Sequence, residues 1–150
     1  MASPLNILIV EDDLIMADLL AEILTTHGHR VCGISRSVDY AIAIGAIFRP
    51  DLAIIDVRLA DGGLGPSVAL ALNGLSGMAV LYATGNLEQA VLLKACGQGC
   101  ISKPYCAEDL LRSIDIVSEL VATGRATGPI PRNFRFLPGG TPTQGPRALS

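Results

Sequence analysis

The sequence predicts an α/β fold in which helices cover both faces of a doubly wound parallel sheet, and three observations carry this prediction. Short, continuous apolar runs recur along the chain, as is typical of parallel strands buried on both faces. These runs alternate with segments of helical period from Leu5 to Thr123, which gives five strand and helix pairs. The runs also end in polar residues, at the sheet edge where open α/β sheets bind ligands.

Start and stop signals bound the predicted elements. Either Asp12 or Asp13 can cap the first helix, for which Gly28 is the stop, while Ser37 caps the second helix and Pro50 closes it. In order, the predicted elements are the strand Leu5–Val10, the helix Leu14–His27, the strand Arg30–Ile34, a helix from Ser37 through Phe48, the strand Leu52–Asp56, the helix Leu64–Asn73, the strand Met78–Thr84, the helix Leu87–Cys96, a short strand at Cys100–Ile101 and the helix Cys106–Thr123.

The pattern changes from Gly124 onward. Residues 124–150 contain no acidic residue, are rich in proline and glycine, and follow neither a helical nor an alternating period. We therefore expect one domain over residues 4–123 and a disordered or loosely attached tail. Phe134, Phe136 and Leu137 are the exception, because these apolar side chains can dock on a surface.

Composition limits the class of protein. The chain has 150 residues, half of them hydrophobic and 17% charged, which suits one domain with a real core. The net charge of −3 argues against general binding to DNA or to a membrane surface. No apolar run approaches the roughly 20 residues that span a bilayer, and Met1–Pro4 lacks the features of a signal peptide. We expect a cytoplasmic protein without membrane insertion.

The four cysteines have two interpretations. Cys96, Cys100 and Cys106 lie close together in the sequence, which leaves a redox or metal role open. Since no CxxC pair and no histidine cluster accompanies Cys32 or the other three, reduced and partly buried thiols are the favoured interpretation.

The residues that follow the predicted strands form a chemically capable set. Glu11 and Asp12 follow the first strand, Asp56 ends the third, Thr84 ends the fourth, and Lys103 follows the fifth. Parallel strands bring these side chains to one edge of the sheet. Carboxylates, a hydroxyl and an ammonium group together suit a divalent cation beside a phosphoryl group.

Four motifs together resemble the receiver domain of two-component response regulators. They are ILIVEDD (Ile7–Asp13), DLAIIDVRL (Asp51–Leu59), VLYATGN (Val80–Asn86) and ISKPY (Ile101–Tyr105), in the family order and with family-like spacing. The resemblance covers about residues 4–123. It implies a flavodoxin-like, five-stranded parallel sheet of order 2-1-3-4-5.

The resemblance also implies roles for the strand-end residues. Asp56 is the expected phosphoacceptor, since a carboxylate can attack a phosphoryl donor, and Thr84 and Lys103 are expected to contact the phosphoryl oxygens. In the family the peptide bond corresponding to Lys103–Pro104 is typically cis.

Mg²⁺ is the cofactor that the resemblance implies. Asp12, Asp56 and the backbone carbonyl of Arg58 are the expected direct ligands, and Glu11 is expected to act through water. Asp13 is the favoured helix cap rather than a ligand.

The function that these expectations describe is that of a stand-alone receiver. A histidine kinase or phosphotransfer protein would phosphorylate Asp56, and an unidentified protein partner would receive the signal. Self-phosphorylation and autodephosphorylation at Asp56 would then be the only catalysis. A phosphorylation-independent interaction module is the alternative. An aspartate-nucleophile phosphatase is disfavoured, because Arg58 stands where such enzymes place a general acid.

Two departures from the family pattern affect signalling. Cys100 occupies a position where receivers often carry an aromatic switch residue, so we expect the signal to leave through the loop at Thr84, Gly85 and Asn86. The sequence Tyr82–Gly85 resembles the Phe-Ala-Thr-Gly signature of a single-domain receiver subgroup associated with general stress signalling, with tyrosine in place of phenylalanine.

Overall fold

Strands and helices alternate along most of the chain. The computed structural model describes residues 3–59, 61–73, 77–85 and 95–138. The strands are β1 (Asn6–Val10), β2 (Arg30–Ser35), β3 (Leu52–Asp56), β4 (Ala79–Thr84), β5 (Gly99–Ser102) and β6 (Phe134–Phe136). The helices of the described residues are α1 (Leu14–Thr26), α2 (Val38–Phe48), α3 (Gly65–Leu72) and α4 (Ala107–Thr123). The predicted helix Leu87–Cys96 falls mainly on residues outside the described ranges.

All six strands form one sheet, in the order β2-β1-β3-β4-β5-β6. The first five strands pair in parallel, which confirms the predicted order 2-1-3-4-5. The register places Asp56 opposite Ala83 and Thr84 opposite Ser102. The carboxyl ends of β1, β3, β4 and β5 therefore meet at one edge of the sheet.

The continuous apolar runs arise because both faces of the sheet are covered. In β1, Ile7 and Ile9 belong to a core cluster that also contains residues of α1 and α4. Leu8 and Val10 alternate with them and belong to a second cluster, which contains residues of α2 and α3. All four side chains are fully buried. A strand buried on both faces has no solvent side on which a polar residue could alternate.

Local caps fix where the helices begin. Asp13 caps α1, where its Oδ1 accepts hydrogen bonds from the backbone N–H groups of Ile15 and Met16. Ser37 caps α2, as the sequence predicts. At the start of α4, the Sγ of Cys106 accepts from the Asp109 N–H, with a separation of 3.4 Å. The four cysteines are free thiols.

The sixth strand corrects the sequence-based expectation for part of the tail. Phe134–Phe136 pairs antiparallel with β5, with Arg135 opposite Cys100. Residues 124–138 therefore do not match the expected disordered or loosely attached tail, and the sheet has six strands rather than five. Phe-Arg-Phe alternates apolar and polar residues over only three positions, which is too short a run to indicate a strand from the sequence. Residues 139–150 lie outside the described ranges.

Two side chains of the tail anchor β6 to both layers of the core. Phe134 is 7% exposed and packs with the α1 and α4 cluster, whereas Leu137 is 4% exposed and packs with the opposite cluster. Gly99 allows the close approach, because a Cβ at that position would collide with the Phe134 ring. Within the described ranges, no helix has both the length and the apolar character needed to cross a membrane.

Replacement of Phe134 by alanine should destabilise the domain. We expect Phe134→Ala to lower the free energy of unfolding by about 3 kcal/mol, because the change removes a buried ring from the core. Arg135→Ala is the matched control, since the Arg135 side chain is exposed on the same strand. Equilibrium urea unfolding measures both changes. Equal midpoints for Phe134→Ala and the wild type would contradict the docking of the tail.

Candidate functional site

Three carboxylates converge at the carboxyl edge of the sheet. Glu11 and Asp12 directly follow β1, and Asp56 ends the neighbouring strand β3. One carboxylate oxygen from each residue lies within 4.8 Å of the other two. The pairing of β1 with β3 explains the convergence, because both strands deliver their last residues to the same edge.

Glu11 is the most buried of the three acids, with a side chain that is 3% exposed. Its backbone N–H donates to the Ser35 carbonyl, which continues the pairing of β1 with β2. Its Oε2 accepts from the Asp13 N–H at 3.2 Å, so this carboxylate is fixed by the first turn of the chain after β1. A buried carboxylate needs such partners, because it has lost its hydration.

Lys103 brings a positive charge to the acids of the site. Its Nζ lies 2.9 Å from Oε1 of Glu11 and 3.5 Å from Oδ2 of Asp56. Its backbone N–H donates to the Thr84 carbonyl at 2.8 Å, which ties the end of β5 to the end of β4. The Lys103–Pro104 peptide bond is cis, as the resemblance implies.

The charges around Lys103 favour its protonated form. Partial burial alone lowers the pKa of the ammonium group, but the hydrogen bond to Glu11 and the negative charges of Asp56 and Glu11 outweigh burial and raise this pKa above its ordinary value. Lys103 is therefore a fixed positive charge at neutral pH.

The positive charge of one lysine does not neutralise the negative charges of three carboxylates. Glu11, Asp12 and Asp56 carry three formal negative charges, and Lys103 contributes one positive charge among them. Hard oxygen ligands with excess negative charge are the environment that Mg²⁺ prefers, usually through one or two carboxylates. The donor set therefore fits a divalent cation beside Asp12 and Asp56.

The two remaining predicted site residues lie on neighbouring segments. Thr84 ends β4 and is 4% exposed, and its position opposite Ser102 places it beside the strand that leads to Lys103. Arg58 lies two residues after Asp56, with an exposed side chain and a bridge to Leu64. The predicted contact of the Arg58 carbonyl with a metal stays a prediction.

Two further side chains border the site. The hydroxyl of Tyr105 is buried and has no hydrogen-bond partner in the described part of the chain. Burial, followed by the negative charges of Glu11 and Asp56, raises the pKa of Tyr105 to about 12. Arg36 donates from Nε to the Asp12 carbonyl at 3.1 Å. No sequence pattern indicated this contact, because Arg36 lies after β2 and reaches the site only through the fold.

The parallel sheet carries three acids and a lysine at one edge, and comparison with known proteins identifies the family to which this fold belongs. The family model of the response regulator receiver domain matches residues 7–115, more than half of the chain. The chain therefore belongs to the response regulator receiver family.

Individual relatives give the same result. The transcriptional regulatory protein PdtaR of Mycobacterium tuberculosis is 26% identical over 117 residues, which are 77% of this chain and 57% of that protein. The acid tolerance regulatory protein ActR of Rhizobium meliloti is 34% identical over 113 residues, which are 73% of this chain and 57% of that protein. The chain thus spans about half the length of the curated relatives it matches.

A solved structure supports the fold. The receiver domain of the PhyR response regulator from Erythrobacter litoralis has a TM-score of 0.67 and 20% identity, and the match covers 86% of this chain and 98% of that domain. At this identity the likeness shows the fold alone. Membership of the stress-signalling subgroup, indicated by Tyr82–Gly85, stays a prediction.

Removal of the Lys103 charge should destabilise the metal-free protein. We expect Lys103→Met to lower the free energy of unfolding by about 1–3 kcal/mol, because Glu11 loses its partner and the acids repel one another. The raised pKa of Lys103 means that its contribution is complete below the ordinary lysine value of 10.5 and is lost as pH rises through the raised value. Urea unfolding from neutral to alkaline pH measures the difference.

The double variant Lys103→Met/Glu11→Gln is the control for that prediction. It removes both charges of the closer ion pair and should recover most of the lost stability. If the single and double variants are equally unstable, the loss comes from packing rather than from charge.

Proposed function

We propose that this chain is a phosphorylatable receiver, in which Asp56 accepts a phosphoryl group from a histidine kinase or a phosphotransfer protein. The observation that carries the proposal is the placement of Lys103 Nζ at 2.9 Å from Glu11 and 3.5 Å from Asp56. A lysine held beside the acceptor carboxylate can contact an oxygen of the phosphoryl group once that group is attached to the carboxylate.

The proposed reaction is a transfer between two side chains. A carboxylate oxygen of Asp56 attacks the phosphorus of a phosphohistidine, a P–O bond forms, and the P–N bond breaks. The electron pair of that bond returns to the imidazole of the donor, which takes up a proton. Lys103 and Thr84 stabilise the charge on the phosphoryl oxygens, since such transfers depend on positioning and electrostatics.

Charge neutralisation is the second requirement. Asp12, Asp56 and the Arg58 carbonyl would hold Mg²⁺, with Glu11 acting through water, and the bound ion would supply positive charge beside the phosphoryl oxygens. Asp56 is 15% exposed, so its carboxylate is accessible to a donor. The Glu11 side chain is only 3% exposed and is therefore much less accessible to a donor than Asp56.

An apolar surface beside the acids supports a protein as the phosphoryl donor. We name the exposed side chains of Leu14, Ile15 and Leu19 the α1 patch; they are 54%, 80% and 48% exposed. The patch begins immediately after Asp13 and therefore lies next to the acidic residues. Exposed apolar side chains at the start of a helix suit docking of an apolar partner helix.

The output is proposed to be a protein–protein interaction. The net charge of −3 does not favour DNA as a direct ligand. We propose that the chain acts in the cytoplasm, without an enzymatic output beyond phosphorylation and autodephosphorylation at Asp56.

Asp56→Asn should abolish phosphorylation. The wild type is expected to gain one phosphoryl group from acetyl phosphate with Mg²⁺, and Asp56→Asn is expected to gain none, because an amide is a poor nucleophile. Intact-protein mass spectrometry measures the added mass. Asp13→Asn is the matched control, since asparagine also caps a helix and Asp13 serves α1.

Two results would contradict this assignment. Labelling of Asp56→Asn would show a different acceptor, and labelling that survives excess chelator would show that the divalent cation is not required. A folded wild type that gains no phosphoryl group would favour the alternative, a phosphorylation-independent interaction module.

Ile15→Ser should separate the two kinds of donor. We expect phosphotransfer from a phosphorylated histidine-containing protein to slow about fivefold to tenfold, because the α1 patch loses its most exposed member. Labelling by acetyl phosphate should not change, since this small donor does not need the patch. Leu70→Ser is the control, because Leu70 is also exposed but lies on α3. Equal slowing by both variants would rule out a specific role for α1.

A further inference from the structure

One residue of the tail satisfies both backbone polar groups at the end of β5. The backbone N–H of Ser102 donates to the Asn133 carbonyl at 3.0 Å. In return, Nδ2 of the Asn133 side chain donates to the Ser102 carbonyl at 3.2 Å. Asn133 thus holds Ser102 from the outer side of the sheet, immediately before β6 begins.

The next residue is held from the inner side. The Lys103 N–H donates to the Thr84 carbonyl at 2.8 Å, and Ser102 itself pairs with Thr84 in the register of β4 with β5. The chain from Ser102 to Lys103 therefore lies between Asn133 and Thr84. The backbone path from Ser102 to Lys103 therefore determines the position from which the Lys103 side chain extends.

We propose that Asn133 is a positioning residue for Lys103, and that the tail thereby takes part in the chemistry at Asp56. By fixing both backbone groups of Ser102, Asn133 holds the strand end from which the Lys103 ammonium reaches Glu11 and Asp56. The effect on phosphorylation rests on the proposed function, whereas the effect on Lys103 does not.

The hydrogen bonding of Asn133 argues that this residue does more than attach the tail. Phe134 and Leu137 already anchor the segment through buried apolar contacts. The Oδ1 of Asn133 is buried and has no hydrogen-bond partner in the described ranges, so the side chain bonds through its amide nitrogen. The contact that the Asn133 side chain adds is the hydrogen bond from its amide N–H to the Ser102 carbonyl.

Nuclear magnetic resonance spectra of the full chain at neutral pH test the positioning directly. We expect Asn133→Ala to shift the Cε–Hε signals of Lys103 in the folded protein, because the strand end moves relative to Glu11 and Asp56. Arg135→Ala should leave these signals in place, since the Arg135 side chain is exposed and this residue lies opposite Cys100 rather than Ser102. A simple loss of stability lowers the unfolding midpoint without moving the signals of the folded state.

Phosphorylation provides the second measurement. With acetyl phosphate and Mg²⁺, labelling of Asn133→Ala should be roughly twofold to tenfold slower than labelling of the wild type, the effect expected from one hydrogen bond. Arg135→Ala should be labelled at the wild-type rate.

The two measurements separate the two proposals. Unmoved Lys103 signals in folded Asn133→Ala would overturn the positioning role, whatever the labelling rate. If the Lys103 signals move in Asn133→Ala but the wild type gains no phosphoryl group, the positioning of Lys103 is supported and the proposed function is overturned. Moved signals with a labelling rate equal to that of the wild type would overturn the role of the tail in phosphorylation.

Discussion

The repulsion among three carboxylates at one edge of the sheet is the constraint on which the site depends. One carboxylate oxygen from each of Glu11, Asp12 and Asp56 lies within 4.8 Å of the other two, and Glu11 is almost fully buried there. Such an arrangement is stable only with compensating positive charge. Lys103 supplies part of that charge in the metal-free chain. The proposed binding of a divalent cation rests on the remaining negative charge, so the stability of this edge and its proposed chemistry have one electrostatic origin.

The parallel sheet makes this crowding possible. Because β1, β3, β4 and β5 run in the same direction, each delivers its last residue to the same edge, and helices cover both faces of the sheet. The three acids therefore converge at the strand ends without long connecting loops. The hydrogen bond from the Lys103 N–H to the Thr84 carbonyl extends the pairing beyond β5 itself, so the lysine begins from a fixed backbone.

Most of the fold, and the residues that form the candidate site, could be predicted from the sequence. Buried parallel strands leave continuous apolar runs, and their ends place polar residues in a known direction, so Glu11, Asp56 and Lys103 could be selected without coordinates. The sixth strand was missed because Phe134–Phe136 alternates apolar and polar residues over only three positions, too few to indicate a strand, and its pairing with β5 defines it. The same is true of Asn133 and Arg36, whose contacts join residues far apart in the chain. The roles of the predicted site residues in phosphorylation stay predictions.

The sixth strand also covers the backbone edge of β5 with which a partner chain could otherwise pair. An uncovered edge strand presents backbone donors and acceptors that another chain can pair with. Here the edge is covered, since Cys100 lies opposite Arg135 and Ser102 is held by Asn133. A partner that pairs with the outer edge of β5 must first displace β6 and expose the Phe134 ring. Such a partner would therefore act on the strand that leads directly to Lys103.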